Sequence, residues 1–290
     1  MKLGVTYWML GGFEGRVPVE AAAEAAARMG YQSIELSFGP GVLGPATAKS
    51  ELEQMRAALD QVGVELSSLA TPVYWEQSLS SPDKTERRAA IAFTQAYVRA
   101  ASALGTDAVL VVPGAVDVPW APSRPVVPAA EAYRLAQDSI RAVLPLAEEL
   151  GVTLCIENVW NKFLTGPFEM AAFIDSFGSA RVRAYFDAGN CVINGYPEHW
   201  VEVLGERIGR VHIKNFTRRN GGGTLDDFTG SLLEGSVNWA GVLQALQAIG
   251  YDGFVTAEVL VSERGLPDAE MSARVAREMA QLFAAHGSGT

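Results

Sequence analysis

Short runs of apolar and β-prone residues alternate along the chain with longer segments whose apolar positions recur every three or four residues. The short runs have the pattern of strands buried on both faces, and the longer segments that of amphipathic helices. Strands are predicted over Leu3–Thr6, Ser33–Leu36, Glu65–Ala70, Ala108–Val112, Thr153–Glu157, Val182–Asp187, Arg210–Lys214 and Phe254–Glu258. The segments that follow them, from "PVEAAAEAAARMG" to "PDAEMSARVAREMAQLFAAHG", read as helices. Each closes on glycine and several open with proline, the usual asymmetry of helix ends. Strand followed by helix, eight times over, predicts an α/β fold of one domain: a closed (β/α)8 TIM barrel over residues 1–290. No Pro/Ser-rich linker or charge run marks a second domain. A doubly wound open sheet competes, but "YWMLGGFEG" after the first strand lacks the G-x-G-x-x-G spacing.

In such a barrel the C-terminal strand ends carry the chemistry. The last four strands each end on one potential ligand: Glu157 in "CIEN", Asp187 in "AYFDAGN", His212 in "RVHIKN" and Glu258 in "VTAEV". The steps are 30, 25 and 46 residues, close to one strand–helix unit each except for a longer loop before the last. Any one of these residues has a bland explanation, such as a loop cap, an ion pair or a satisfied core histidine. Four on successive strands point instead to a cluster at the barrel mouth. Three carboxylates there repel one another unless a cation sits among them. The site is therefore expected to hold one divalent metal ion. Three carboxylates, one imidazole and no thiolate suit Mn²⁺, Mg²⁺ or Co²⁺, with Zn²⁺ also compatible. Glu35 in "SIELSF" ends the second strand and is a candidate supporting or substrate contact. Trp8, Tyr74, Trp75 and Trp160 stand near strand ends as candidate pocket walls.

Composition narrows the partners. Lys plus Arg number 23 against 33 Asp plus Glu, a net charge of −10 that argues against nucleic acid or a membrane surface. Two cysteines, Cys155 and Cys191, make no disulfide framework, and neither has a recognisable base beside it. With no signal-like start and no long apolar run, the chain is expected to be soluble and cytoplasmic.

The motifs "IEN", "YFDAGN", "RVHIKN" and "GFVTAEV", in this order and spacing, resemble the sugar phosphate isomerase/epimerase family of xylose isomerase-like TIM barrels. That family includes ketose 3-epimerases and pentulose-phosphate 3-epimerases. The resemblance implies metal ligation by Glu157, Asp187, His212 and Glu258, with Glu157 and Glu258 doubling as acid and base on opposite faces of the sugar. It also implies a substrate contact from Arg218, six residues beyond the metal histidine, and a homo-oligomer, dimer or tetramer. Two positions depart from the free-ketohexose epimerases: Asn190 stands for their histidine, and Phe163 for their second glutamate. "ENVWNKFLTGPFEM" and "HIKNF" are closer to a branch labelled hexulose-6-phosphate isomerase or ribulose-5-phosphate 3-epimerase, in which Lys162, Lys214, Arg218 and Arg219 would contact a phosphate.

The expected activity is thus isomerisation or epimerisation of a ketose or ketose phosphate, with C3 epimerisation favoured. A glutamate removes the proton beside the carbonyl, and the metal stabilises the resulting enediolate. The substrate contacts are expected to include Arg218, Asn190, Lys214, Trp8 and Glu35. The glycine-rich stretch "RRNGGGTLDDFTGSLLEG" is a candidate lid. A metal-dependent lyase or dehydratase acting on a ketocyclitol or sugar-derived substrate is the alternative, since the same ligands support water loss after enolisation. An endonuclease IV-type phosphodiesterase would need more histidines, and the chain has 3.

Overall fold

The structure, a computed structural model, describes all residues except Glu14, Val42, Gly221, 260–267 and 287–290. Eight parallel strands close into a barrel: β1 (Lys2–Thr6), β2 (Ser33–Ser37), β3 (Glu65–Ala70), β4 (Ala108–Val111), β5 (Thr153–Glu157), β6 (Val182–Asp187), β7 (Ile208–Ile213) and β10 (Phe254–Ala257). The two remaining strands, β8 (Asn215–Phe216) and β9 (Phe228–Thr229), form a small antiparallel hairpin in the loop after β7. β1 pairs with β2 on one side and β10 on the other, which shuts the ring and leaves no open edge.

The predicted strands are all present, with ends shifted by a residue or two. β7 begins at Ile208 rather than Arg210, β4 stops one residue short of Val112, and Glu258 lies just past the end of β10. The helices fall where the 3.6-residue period put them. The long ones, Lys84–Leu104 and Ala129–Leu150, are each closed by a glycine in the left-handed region, Gly105 at φ 83° and Gly151 at φ 69°. An L side chain adopts that conformation reluctantly, so these glycines stop the helices cleanly.

The core lies between barrel and helices. Val109, Val111, Leu154 and Ile156 on the strands and Ile140, Val143 and Leu144 on the helix after β4 belong to one continuous buried cluster. Burying each such side chain contributes about 1.5–3 kcal/mol before entropy is counted. Register then fixes the site: Asp187 lies opposite His212 across β6 and β7, and Thr256 opposite His212 across β10 and β7. Side chains at these C-terminal strand ends converge because the strands are parallel and closed.

Candidate metal centre and active site

Glu157, Asp187, His212 and Glu258 come together at one rim, each offering a ligand atom, with all of these atoms within 4.8 Å of one another. All four residues are buried. The imidazole of His212 is held by its far nitrogen: Nε2 stands 2.8 Å from Glu35 Oε1. Its Nδ1 is turned towards the carboxylates, 3.5 Å from Glu258 Oε2 and 3.9 Å from Glu157 Oε1, and has no hydrogen-bond partner. Glu35 also accepts hydrogen bonds from Ser68 Oγ, at 2.6 Å, and from the Tyr185 hydroxyl.

Asp187 is clamped by its backbone. Its N–H donates to Asn158 Oδ1 and its carbonyl accepts from Asn158 Nδ2, both at 2.9 Å. Its Oδ1 accepts from the Asn190 N–H at 2.8 Å. Its Oδ2 makes no hydrogen bond of good geometry but faces the Lys214 ammonium at 3.0 Å. Lys214 Nζ also donates to Glu258 Oε2 at 2.6 Å.

These contacts pull the two glutamates in opposite directions. Burial, helped by the nearby Glu258 charge and opposed by His212, pushes the Glu157 carboxyl up to about 7. Burial acts on Glu258 too, but Lys214 and His212 outweigh it and hold that carboxyl below its usual range. Such divergence between neighbouring carboxyls is how acid and base roles are divided in one site. Burial likewise raises Asp187. For Lys214, burial disfavours the ammonium, yet Asp187 and Glu258 keep it firmly charged. Four carboxylates, counting Glu35, against one lysine and one imidazole leave an excess of negative charge. Together with the unpartnered Nδ1 of His212, that donor set fits a divalent cation.

Of the other residues singled out in the sequence, Lys214 joins the group and Glu35 stands behind it. The Glu35 carboxylate is wholly buried and spent on His212, Ser68 and Tyr185, which makes it a support for the imidazole rather than a substrate contact. Asn190 adjoins the group, but its Nδ2 is committed to the Asn158 carbonyl at 2.9 Å. Arg218 is not brought to the cluster. Its guanidinium donates to the carbonyls of Val192 and Gly195 and lies over the Tyr196 ring. Trp8 is buried on the helix Tyr7–Gly11 against Phe13, with its Nε1 unpartnered. Tyr74 is turned to Thr94 and Trp75 to Trp120, whereas Trp160 packs between Phe216 and Phe228 and donates to the Asn190 carbonyl.

The candidate lid, residues 218–235, contains β9, which pairs with β8 just ahead of it. Gly221 of its glycine triplet lies outside the described residues. At Gly223, φ is 155° and a Cβ would stand 2.3 Å from the Phe216 ring, so this glycine makes room for an aromatic side chain. Ser68, Tyr185 and Asn158 escaped the sequence reading. Tyr185 lies two residues before Asp187 and so on the same face of β6, the one periodic signal that pointed to it.

The chain belongs to the xylose isomerase-like TIM barrel family, whose sequence profile it matches over residues 23–283. Among its relatives is the D-psicose 3-epimerase of Ruminiclostridium cellulolyticum, 24% identical over 273 residues that span 91% of this chain and 86% of the relative. An uncharacterized protein of Methanocaldococcus jannaschii is 24% identical over 207 residues, 70% of this chain and 66% of that protein. A crystal structure of a D-psicose 3-epimerase in the presence of D-fructose superposes with a TM-score of 0.81 at 21% identity, over 99% of this chain and 100% of the other. At that identity the superposition speaks for the fold. No helix among the described residues is long and apolar enough to cross a membrane.

Proposed function

We propose that the protein is a divalent-metal-dependent ketose 3-epimerase in which Glu157, Asp187, His212 and Glu258 hold one metal ion and Glu157 and Glu258 move the proton. The observation that carries this reading is the buried four-residue group at the C-terminal rim of the barrel, each member offering one ligand atom. The D-psicose 3-epimerases among the relatives support the reaction class. The oxygen-rich donor set favours Mn²⁺, Mg²⁺ or Co²⁺ over Zn²⁺.

A divalent cation held by Glu157, Asp187, His212 and Glu258 would supply positive charge that stabilises the negative charge developing as a proton leaves the carbon beside a carbonyl. Glu258, kept ionised by Lys214, accepts that proton. Glu157 returns a proton to the opposite face of the same carbon, which inverts the configuration. In the reverse direction the two exchange roles. Glu35 holds His212 in one tautomer by accepting a hydrogen bond from Nε2–H, which keeps the Nδ1 lone pair available.

The substrate in this reading carries no phosphate. Each cation that the sequence offered for a phosphate is engaged within the protein: Lys162 with Asp117, Lys214 with Asp187 and Glu258, Arg219 with Asp227, and Arg218 with two backbone carbonyls. We place the enzyme in the cytoplasm as a homo-oligomer; two free, buried cysteines accord with a reducing compartment.

The test is incubation of the Mn²⁺-loaded protein with D-fructose, D-psicose and pentulose phosphates in D2O. Deuterium at C3 with inversion is the expected outcome for the unphosphorylated ketoses. Exchange followed by water loss would make the enzyme a lyase, and absence of exchange with every ketose would remove the epimerase reading. Glu157→Gln and Glu258→Gln are each expected to slow exchange by at least about 10²–10⁴-fold with the fold retained. Near-normal turnover in either would remove the acid/base assignment.

A further inference from the structure

Beside the ligand group lies a cavity of about 240 Å³ that the mechanism does not use. Asn158 and Asn190, the residues that clamp Asp187, form the part of its wall nearest the proposed metal site. The rest of the wall is mainly apolar, with Trp160, Trp200, Leu164 and Ile193 facing it and Lys162 and Asn194 adding polar groups.

Its shape is built rather than incidental. Lys162 and Leu164, both in the wall, have left-handed backbones at φ 56° and 52°, and these are the non-glycine residues with positive φ among the described ones. Such strain persists where surrounding bonds over-determine it, and it gathers at ligand clamps. Here Asn161 supplies those bonds: its Nδ2 donates to the Gly114 carbonyl at 2.6 Å, its Oδ1 accepts from the Phe163 N–H at 3.1 Å, and its carbonyl accepts from Val116 and Asp117. The consequence is that Phe163 turns away to pack on Tyr133 and Phe173. Space is left between the strained residues and the ring of Trp160, which is fixed by its bond to the Asn190 carbonyl. Gly195 contributes as well, since a Cβ there would stand 3.1 Å from Trp200 Nε1.

The wall selects its occupant. Indole faces and aliphatic side chains match the C–H faces of a sugar or an aromatic ring, and asparagine and threonine at the edge match hydroxyls. Among the described residues the one cation in the wall is Lys162, and it is paired with Asp117. We propose that this cavity is a second-ring subsite and that the preferred substrate is a ketosugar joined to another ring, a keto-glycoside, rather than a free ketose. The proposal rests on the epimerase reading of the metal site. In a glycoside the anomeric carbon is locked as an acetal, so the carbonyl that acidifies the neighbouring C–H stands on a ring carbon, as in a 3-keto-glucoside, and the same proton transfer and inversion then fall on C2 or C4 rather than on C3.

The experiment compares methyl and phenyl 3-keto-β-D-glucopyranosides in D2O with the Mn²⁺-loaded wild type and with Ile193→Trp, which fills the cavity from a partly buried position. In the wild type, kcat/KM for proton exchange is expected to be about tenfold or more higher for the phenyl compound, a preference worth about 1.4 kcal/mol. In Ile193→Trp that ratio is expected to fall to near one, while the methyl compound is exchanged as in the wild type. Equal kcat/KM for the two compounds in the wild type overturns the subsite and leaves the epimerase intact. If neither compound nor any free ketose exchanges, the epimerase reading fails on its own. The subsite is then judged by quenching of tryptophan fluorescence with unreactive phenyl β-D-glucopyranoside. Quenching in the wild type that is lost in Ile193→Trp supports it, and no quenching at millimolar ligand overturns it.

Discussion

His212 Nε2 lies 2.8 Å from Glu35 Oε1, and both side chains are fully buried. One nitrogen of the imidazole is thereby anchored and the other left facing the Glu157 and Glu258 carboxylates. A carboxylate behind a ligating histidine fixes its tautomer and raises its basicity, and loss of such a partner costs about 10–100-fold in metal affinity. Glu35→Gln keeps the shape but removes the charge. It is expected to weaken Mn²⁺ binding by about that factor, measured by calorimetric titration of chelator-treated protein. Affinity equal to wild type would show that Glu35 only fills space.

Lys214 spans the same group from the opposite side, bridging Asp187 and Glu258. Removing one member of a buried charge network leaves the others uncompensated, at about 3–5 kcal/mol. Lys214→Met is therefore expected to lower the melting temperature strongly in EDTA and much less in saturating Mn²⁺, because a bound cation restores the balance. Equal losses under both conditions would separate Lys214 from the electrostatics of the site.

Away from the centre, Glu86 links the start of its helix to the loop after β4. It accepts from Ser78 N, Ser81 Oγ and the Arg124 guanidinium. Burial opposes the charged form, yet these bonds outweigh it and hold the carboxyl below its ordinary value of 4.5. A group with a depressed folded-state value adds stability above its unfolded value and loses it as pH falls through the folded one. Glu86→Gln is expected to cost about 1–2 kcal/mol at pH 7, and the gap to wild type should narrow as pH drops below 4.5. Urea melts from pH 7 to pH 3 would reveal a gap that stays constant if the charge is irrelevant.

Much of this was legible in the sequence because the barrel repeats one physical rule. The barrel strands are mostly buried and the helices Val19–Met29, Lys49–Val62, Lys84–Leu104 and Ala129–Leu150 end on glycine, so eight apolar runs could be counted and their C-terminal ends located. The four residues of the candidate metal group were located by that counting. The hairpin Asn215–Phe216 with Phe228–Thr229 and the short helix Ala188–Cys191 were missed, since two to four residues carry no period. The family resemblance implied a substrate contact from Arg218, whereas its guanidinium here donates to the carbonyls of Val192 and Gly195. Ser68 and Asn158 are short polar residues whose roles come only from what the barrel sets opposite them. Spacing along one chain holds no record of that.

Asn158 makes the sharpest test of how the centre is assembled. Its side chain takes the Asp187 N–H, donates to the Asp187 carbonyl and reaches Cys191 Sγ at 3.2 Å, so one amide fixes the backbone on both sides of a proposed ligand. Asn158→Ala leaves a buried N–H and a buried carbonyl without partners, which is expected to cost about 2–4 kcal/mol. Asn158→Asp still accepts from the N–H but cannot donate to the carbonyl, and it adds a further negative charge beside Glu157 and Asp187. The two substitutions therefore part company. Both should lower the melting temperature of the chelated protein, but the aspartate, through its charge, should recover more stability on Mn²⁺ addition than the alanine does. Melting curves with and without Mn²⁺ decide the matter: an equal Mn²⁺ response in the two variants would mean that the amide serves the loop after β5 and not the metal centre.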